Sequence, residues 1–84
     1  MDNKVDKISR SIRALEVVEV VVNADRTMTV ADIMTATGLP KATVHRLCGL
    51  LEQEGFLAPD IGGKGLTIGH RTRDLALGVM ALGG

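Results

Sequence analysis

Residues 30–55 read VADIMTATGLPKATVHRLCGLLEQEG, and this stretch decides the fold. Apolar residues before Gly38 recur at the i, i+3, i+4, i+7 spacing of an amphipathic helix, and the same spacing recurs after Pro40. The two sets are Val30, Ile33, Met34 and Thr37 before the break, and Val44, Leu47, Cys48 and Leu51 after it. Because glycine accepts a positive φ and proline fits the first turn of a helix, the break favours a sharp turn. The stretch therefore predicts a helix-turn-helix unit.

The second of these helices has a polar outward face. With its apolar stripe turned inward, the outward residues are small, polar or basic: Lys41, Ala42, Thr43, His45 and Arg46. Small side chains permit close approach to a DNA major groove, and Arg, Thr and His reach base edges or phosphates. We interpret this helix as a DNA-recognition helix, with Arg46 and Thr43 at or near bases and Lys41 on a phosphate.

The charge balance is neutral, but the charges are unevenly distributed. The 84 residues carry 10 Lys and Arg against 10 Asp and Glu, whereas many DNA-binding domains are basic. No acid lies between Asp32 and Glu52, while Lys41, His45 and Arg46 do. This distribution predicts one domain with a small core and a basic face; so short a chain often relies on a partner subunit.

Other function classes find little support in the sequence. The single aromatic residue, Phe56, offers no platform for stacking the bases of single-stranded nucleic acid. His45 and His70 have no Cys or carboxylate at ligand spacing, so we expect no metal, no cofactor and no enzymatic activity. The lone Cys48 fits a reduced core position. Since neither a signal peptide nor a membrane span is visible, we expect a cytoplasmic protein without a membrane partner.

The first and last helices carry surplus apolar surface. We expect residues 1–7 to fray and a helix to begin near Ile8. Its main face comprises Ile8, Ile12, Leu15, Val18 and Val22, widened by Ala14, Val17 and Val21. A last helix over 70–82 has a stripe without an obvious neighbour. The surplus predicts a homodimer, although a first helix packed on two sides of one small core is the alternative. The predicted dimer interface is Val17, Val20, Val21, Leu75, Val79 and Leu82.

Short β segments flank the helix-turn-helix. Thr27-Met28-Thr29 predicts a stub of strand, and Thr29 with Asp32 resembles a capping box at the start of the next helix. The free N–H groups at that start suit a DNA phosphate, though a cap alone fits equally well.

After Gly55, residues 56–58 and 66–68 predict a hairpin, or wing, around a glycine-rich turn. Phe56 and Ile68 are expected to close this wing over the core. Lys64 at its tip is a candidate phosphate or minor-groove contact, with a solvated lysine as the alternative.

These motifs together resemble a known family. The run T-x-x-D-I-x-x-x-T-G-L-P-K-A-T-V-H-R-L at 29–47, followed by L-E-x-E-G-F at 51–56, is similar to the DNA-binding domain of IclR-type bacterial transcriptional regulators. R-A-L at 13–15 and L-x-I-G at 66–69 are similar too. The likeness covers roughly residues 8–82.

The resemblance implies a mainly α winged helix-turn-helix: a three-helix core, a small β wing and a C-terminal linker helix. Residues 1–69 would form the DNA-binding domain, and residues 70–84 the linker towards an effector-binding domain that is absent from this chain. It implies a homodimer on a palindromic duplex operator, usually a repressor and sometimes an activator, with a small-molecule effector acting only through the absent domain. The alternative is a winged helix that binds protein rather than DNA, which zero net charge and the exposed-looking Leu50 motivate.

Overall fold

The computed structural model describes residues 3–83, with side chains from Asp6 onward. Within that range the chain forms four helices and one antiparallel hairpin, which confirms the winged helix-turn-helix. In order the elements are α1 Asn3–Asn23, α2 Val30–Thr37, α3 Lys41–Gln53, β1 Leu57–Pro59, β2 Leu66–Ile68 and α4 His70–Ala81. Helix α1 begins at Asn3, five residues before the expected start near Ile8, and residues 1 and 2 lie outside the described range.

The core lies where α1, α2, α3 and the hairpin meet. Its buried side chains are Val17, Val21, Met28, Ile33, Val44, Leu47, Cys48, Leu51, Leu57 and Leu66. The four positions predicted for the inward stripe of α3 are all among them. In α2, Ile33 is fully buried, whereas Val30 and Met34 are half-buried and pack against the core. The pattern that identified the helix-turn-helix therefore also identified its packing face.

The predicted main face of α1 is not the face that packs against the core. Four of its five members, Ile8, Ile12, Leu15 and Val22, are half exposed or more. The helix packs through the narrower stripe instead, with Val17 and Val21 buried and Ala14 half-buried. Glu19 continues the stripe of Ile12 and Leu15 by helical spacing, and burying an unpaired carboxylate is expensive. The core therefore takes the face without a charge at its centre.

Local capping fixes both ends of α2. The Thr29 hydroxyl accepts a hydrogen bond from Asp32 N, and the Asp32 carboxylate accepts one from Thr29 N, which confirms the capping box. At the other end Gly38 adopts φ 75°, a left-handed conformation that favours glycine, and its N–H donates to Met34 O. Pro40 then precedes α3 in an extended conformation. Together these residues fix where α2 begins and ends and where α3 begins.

The wing is a short hairpin extended by one bridge. Leu57 pairs with Ile68 and Pro59 with Leu66. Met28 bridges Leu66 through two backbone hydrogen bonds of 2.9 and 2.7 Å, which confirms the predicted strand stub. Strand β1 begins one residue later than predicted because Phe56 N still donates to Leu51 O at the end of α3. Leu57 and Leu66 are the buried wing residues; the residues predicted for that role, Phe56 and Ile68, pack half-buried at its edge.

The first turn of α4 is fastened to the end of α3. Gly69 N and the Thr72 hydroxyl both donate to Phe56 O, at 2.9 and 2.7 Å. Arg71 N donates to Gly55 O, and the Arg71 guanidinium lies 4.4 Å from the centre of the Phe56 ring. Beyond Thr72 every described residue of the helix is exposed. The start of α4 is therefore fixed relative to α3, while the rest projects from the domain.

Candidate nucleic-acid interface

The predicted recognition surface is the outward face of α3. Lys41, Ala42, His45 and Arg46 are exposed, and Thr43 is half-buried. None of the three basic residues forms an ion pair with a side chain that the structure describes. Small residues, Ala42 and Gly49, lie seven positions apart along the middle of this face. A surface with small groups at its centre and free cations beside them suits close approach to a polyanion.

The wing borders this face on one side. His45, Gly49 and Glu52 of α3 line a shallow groove of about 320 Å³ together with Gly63 and Lys64 of the wing turn. The turn itself is held by Asp60 N donating to Gly65 O at 2.9 Å. Lys64 is exposed and lines this groove together with His45 and Gly49, so it lies next to the outward face of α3. Glu52 is the acid among the residues that line this groove, and it lies nearer the C-terminal end of the helix than His45.

The N-terminal half of α1 borders the same face on the other side. Arg10 and Arg13 line a second groove of about 320 Å³ with Thr43, Arg46 and Leu50 of α3. Leu50, which is 53% exposed, contributes apolar surface to it. The outward face of α3 therefore lies between Lys64 of the wing turn and Arg10 and Arg13 of α1.

The start of α2 is less available than the sequence suggested. The Thr29 hydroxyl and backbone N–H are both engaged in the capping box with Asp32. The Arg26 guanidinium donates to the Asp32 carboxylate at 2.9 Å, and this bond, with that from Thr29 N, lowers the pKa of Asp32 to about 2. An ionised carboxylate thus already occupies the helix start. A phosphate contact at Thr29 stays a prediction.

The predicted dimer residues separate into two groups. Val17 and Val21 are buried in the core of their own protomer, which corrects their assignment, because side chains packed there cannot also contact a partner. Val20 is half-buried, also against the core. In α4, by contrast, Leu75, Val79 and Leu82 are exposed as expected. The exposed apolar stripe of α1 is the opposite one, formed by Ile8, Ile12, Leu15 and Val22.

Sequence reasoning missed Arg10 and Arg13. A signal for Arg10 was present, because the positions 10, 14, 17 and 21 follow the helical spacing of the core-facing stripe. A charged residue on that stripe indicates that the helix face has passed the edge of the core. The sequence did not show which element lies beside that edge of the core.

The remaining chemistry is sparse in the described part of the chain. No group of three or more His, Cys, Asp and Glu side chains there could hold a metal ion. Cys48 is buried, and burial raises the pKa of its thiol. No helix in the same range is long and apolar enough to cross a membrane.

Comparison with known proteins identifies similar sequences. The sequence profile of the IclR helix-turn-helix domain matches residues 12–60. The probable transcriptional regulator SauR of Cupriavidus necator is 32% identical over 74 residues, covering 88% of this chain and 29% of that protein. Since the matched proteins are transcriptional regulators, a non-enzymatic class, the expectation of no enzymatic activity is confirmed.

Solved structures show the same architecture. An IclR homolog from Microbacterium sp. strain HM58-2 superimposes with a TM-score of 0.73 and 36% identity, covering 87% of this chain and 31% of that one. The Agobacterium tumefaciens repressor BlcR superimposes with a TM-score of 0.72 and 26% identity, covering 87% and 29%. The present chain spans less than a third of the length of each of these proteins.

Proposed function

This chain belongs to the IclR helix-turn-helix family of DNA-binding transcriptional regulators, and from that premise we propose that it binds a palindromic duplex operator as a homodimer and acts as a repressor. Residues 1–69 form the DNA-binding unit in this proposal, and residues 70–84 form a linker helix. The exposure of α4 beyond Thr72 supports this division.

The arrangement around α3 carries the proposal. A helix with small residues at its centre and unpaired cations on its outward face has the form of a major-groove reader. We assign Arg46 and Thr43 to bases or nearby atoms, because they lie three residues apart on one side of α3 and in its N-terminal half, the part of a recognition helix that contacts base edges. Lys41 and Lys64 are assigned to phosphates. His45 and Ala42 complete the contact surface, and Thr29 is the weakest member because its polar groups are engaged.

The alternative is a module that binds protein, and Leu50 in its apolar groove favours it. Salt distinguishes the two, because protein cations that neutralise phosphates release counterions from DNA. We expect binding to a duplex selected from a random pool to weaken steeply with salt. For two phosphate contacts per protomer in a dimer, log K falls by about 3.6 per unit of log salt concentration. Binding that is absent, or independent of salt, for selected and random duplexes alike supports the protein-binding module.

The homodimer proposal rests on two unpartnered apolar stripes. One is the stripe of Ile8, Ile12, Leu15 and Val22 on α1, and the other lies on α4 around Leu75, Val79 and Leu82. Two-fold symmetry then requires two half-sites, spaced by about 34 Å or a multiple of it. The protomer measures 42 × 32 × 21 Å, so two copies fit side by side at that spacing.

Substituting Leu15 by Glu is expected to weaken self-association. Leu15 is 68% exposed in the protomer, so the change leaves the core intact but places a charge within the proposed interface. Loss of one buried leucine per protomer predicts a dissociation constant at least about tenfold higher, measured by sedimentation.

The matched control for this experiment is Ile61→Glu. Ile61 lies fully exposed at the wing tip, outside both stripes, so this variant should associate like the wild type. Saturation of the operator duplex by a single wild-type protomer would contradict the dimer.

A further inference from the structure

The outward face of α3 has basic side chains on both of its flanks. On one flank is the wing with Lys64. On the other is the N-terminal half of α1, where Arg10 and Arg13 share a groove with Thr43 and Arg46. Lys64 on the wing flank is assigned to a phosphate, whereas the α1 flank has no assigned contact.

Arg10 is the available cation on the α1 flank. Its Nε donates to Asp6 O at 3.3 Å, a bond within its own helix that leaves both terminal nitrogens of the guanidinium unengaged among the described residues. Arg13, in contrast, is paired with Glu16 at 3.3 Å. The acid at the far end of the groove, Glu54, is paired with Arg71 at 3.4 Å. The groove therefore presents an exposed guanidinium without a described carboxylate opposite it.

The position of Arg10 on its helix explains why it faces α3. It continues the stripe of Ala14, Val17 and Val21, which turns towards the core. About one helical turn before Ala14 the core ends, so there the same face of α1 lies against the groove that Arg46 also lines. The side chain is thus directed towards the recognition surface by the packing of α1.

We propose that Arg10 binds a phosphate of the DNA strand that lies across the major groove from the strand contacted by the wing. This inference rests on the proposed function. A major groove is about 12 Å wide and bordered by two phosphate backbones, so a helix seated in it has phosphates on both sides. Lys64 serves one backbone and Arg10 the other. Guanidinium groups suit this role because they bind phosphate oxygens in a bidentate manner. Together the two contacts fix the rotation of α3 about its own axis in the groove.

The test is Arg10→Gln, measured against a selected duplex and a random duplex over a range of salt concentrations. Glutamine preserves the helix, since its propensity is close to that of arginine, and circular dichroism checks this. Loss of one phosphate contact per protomer reduces the salt slope by about 0.9 per protomer. When the salt concentration is lowered from 1 M to 0.1 M, the affinity of the wild type should therefore rise about eightfold more per protomer than that of the variant. The affinity should fall by the same factor for both duplexes.

The control is Arg73→Gln, which removes the same charge from an exposed position on α4 that lines neither groove. It should bind like the wild type. If the affinity of the wild type for duplex weakens steeply with salt and Arg10→Gln shows the same affinity and the same slope, the Arg10 contact is refuted while the proposed function stands. A loss confined to the selected duplex would indicate base reading and would also overturn the phosphate assignment. Failure of the wild type to bind any duplex removes both proposals.

Discussion

Replacing Gly69 by alanine is expected to lower the free energy of unfolding by about 3 kcal/mol, the upper end of the range for overpacked sites. A Cβ at Gly69 would collide with Gly55 O, and it would lie 2.7 Å from Gly55 C and 2.9 Å from Leu57 O. These are backbone atoms in the junction of α3, β1 and α4, so no side-chain rotation relieves the contact. For a domain of this size the melting temperature should fall by about 12–24 °C.

Gly49→Ala is the matched control for this prediction. Gly49 lies within α3, and a Cβ there would meet no heavy atom within 4 Å. Because glycine in a helix interior costs about 1 kcal/mol relative to alanine, this variant should be more stable and melt about 4–8 °C higher. Thermal unfolding followed by circular dichroism measures both. Equal melting temperatures for Gly69→Ala and the wild type would show that the junction is not closed as described.

Replacing Arg46 by alanine is expected to weaken binding to the selected operator by about 1–3 kcal/mol, or about 5- to 150-fold. Arg46 is exposed on the outward face of α3 and forms no ion pair with a described side chain. Its removal should therefore change the free energy of unfolding little. It does delete the longest side chain in the centre of the recognition surface that can reach a base. Fluorescence anisotropy with the selected duplex measures the loss.

Lys64→Ala provides the comparison for Arg46→Ala. If Lys64 binds a phosphate, its loss weakens selected and random duplexes about equally and reduces the salt slope by about one per protomer. Arg46→Ala should instead reduce discrimination between the two duplexes. Unchanged affinity of Arg46→Ala for the selected duplex would remove this residue from the site.

The parts of the fold that local chemistry specifies were predictable from the sequence. The capping box of Thr29 and Asp32, the left-handed Gly38 and the four buried positions of α3 each depend on residues close together in the chain. The bridge between Met28 and Leu66 is long-range. Its strand stub was nevertheless recognisable, because Thr27-Met28-Thr29 favours β structure.

The parts that depend on which elements become neighbours were not predictable in the same way. Helix α1 has two apolar stripes, and periodicity alone did not show which one meets the core. The deciding residue was Glu19, because its charge disfavours full burial of that stripe in the core of the protomer. The same limitation concealed Arg10, since its meaning depends on the position of α3 beside the N-terminal half of α1.

The most direct test of the DNA-binding surface is a backbone amide chemical-shift titration of the 84-residue chain with the selected duplex. We expect the largest changes at residues 41–49, with further changes at the wing turn and around Arg10. The interior amides around Ile33 should change little. Saturating duplex that leaves the amides of residues 41–46 unchanged, with shifts confined to α4 and the outer stripe of α1, would contradict the assignment of α3 as the recognition helix.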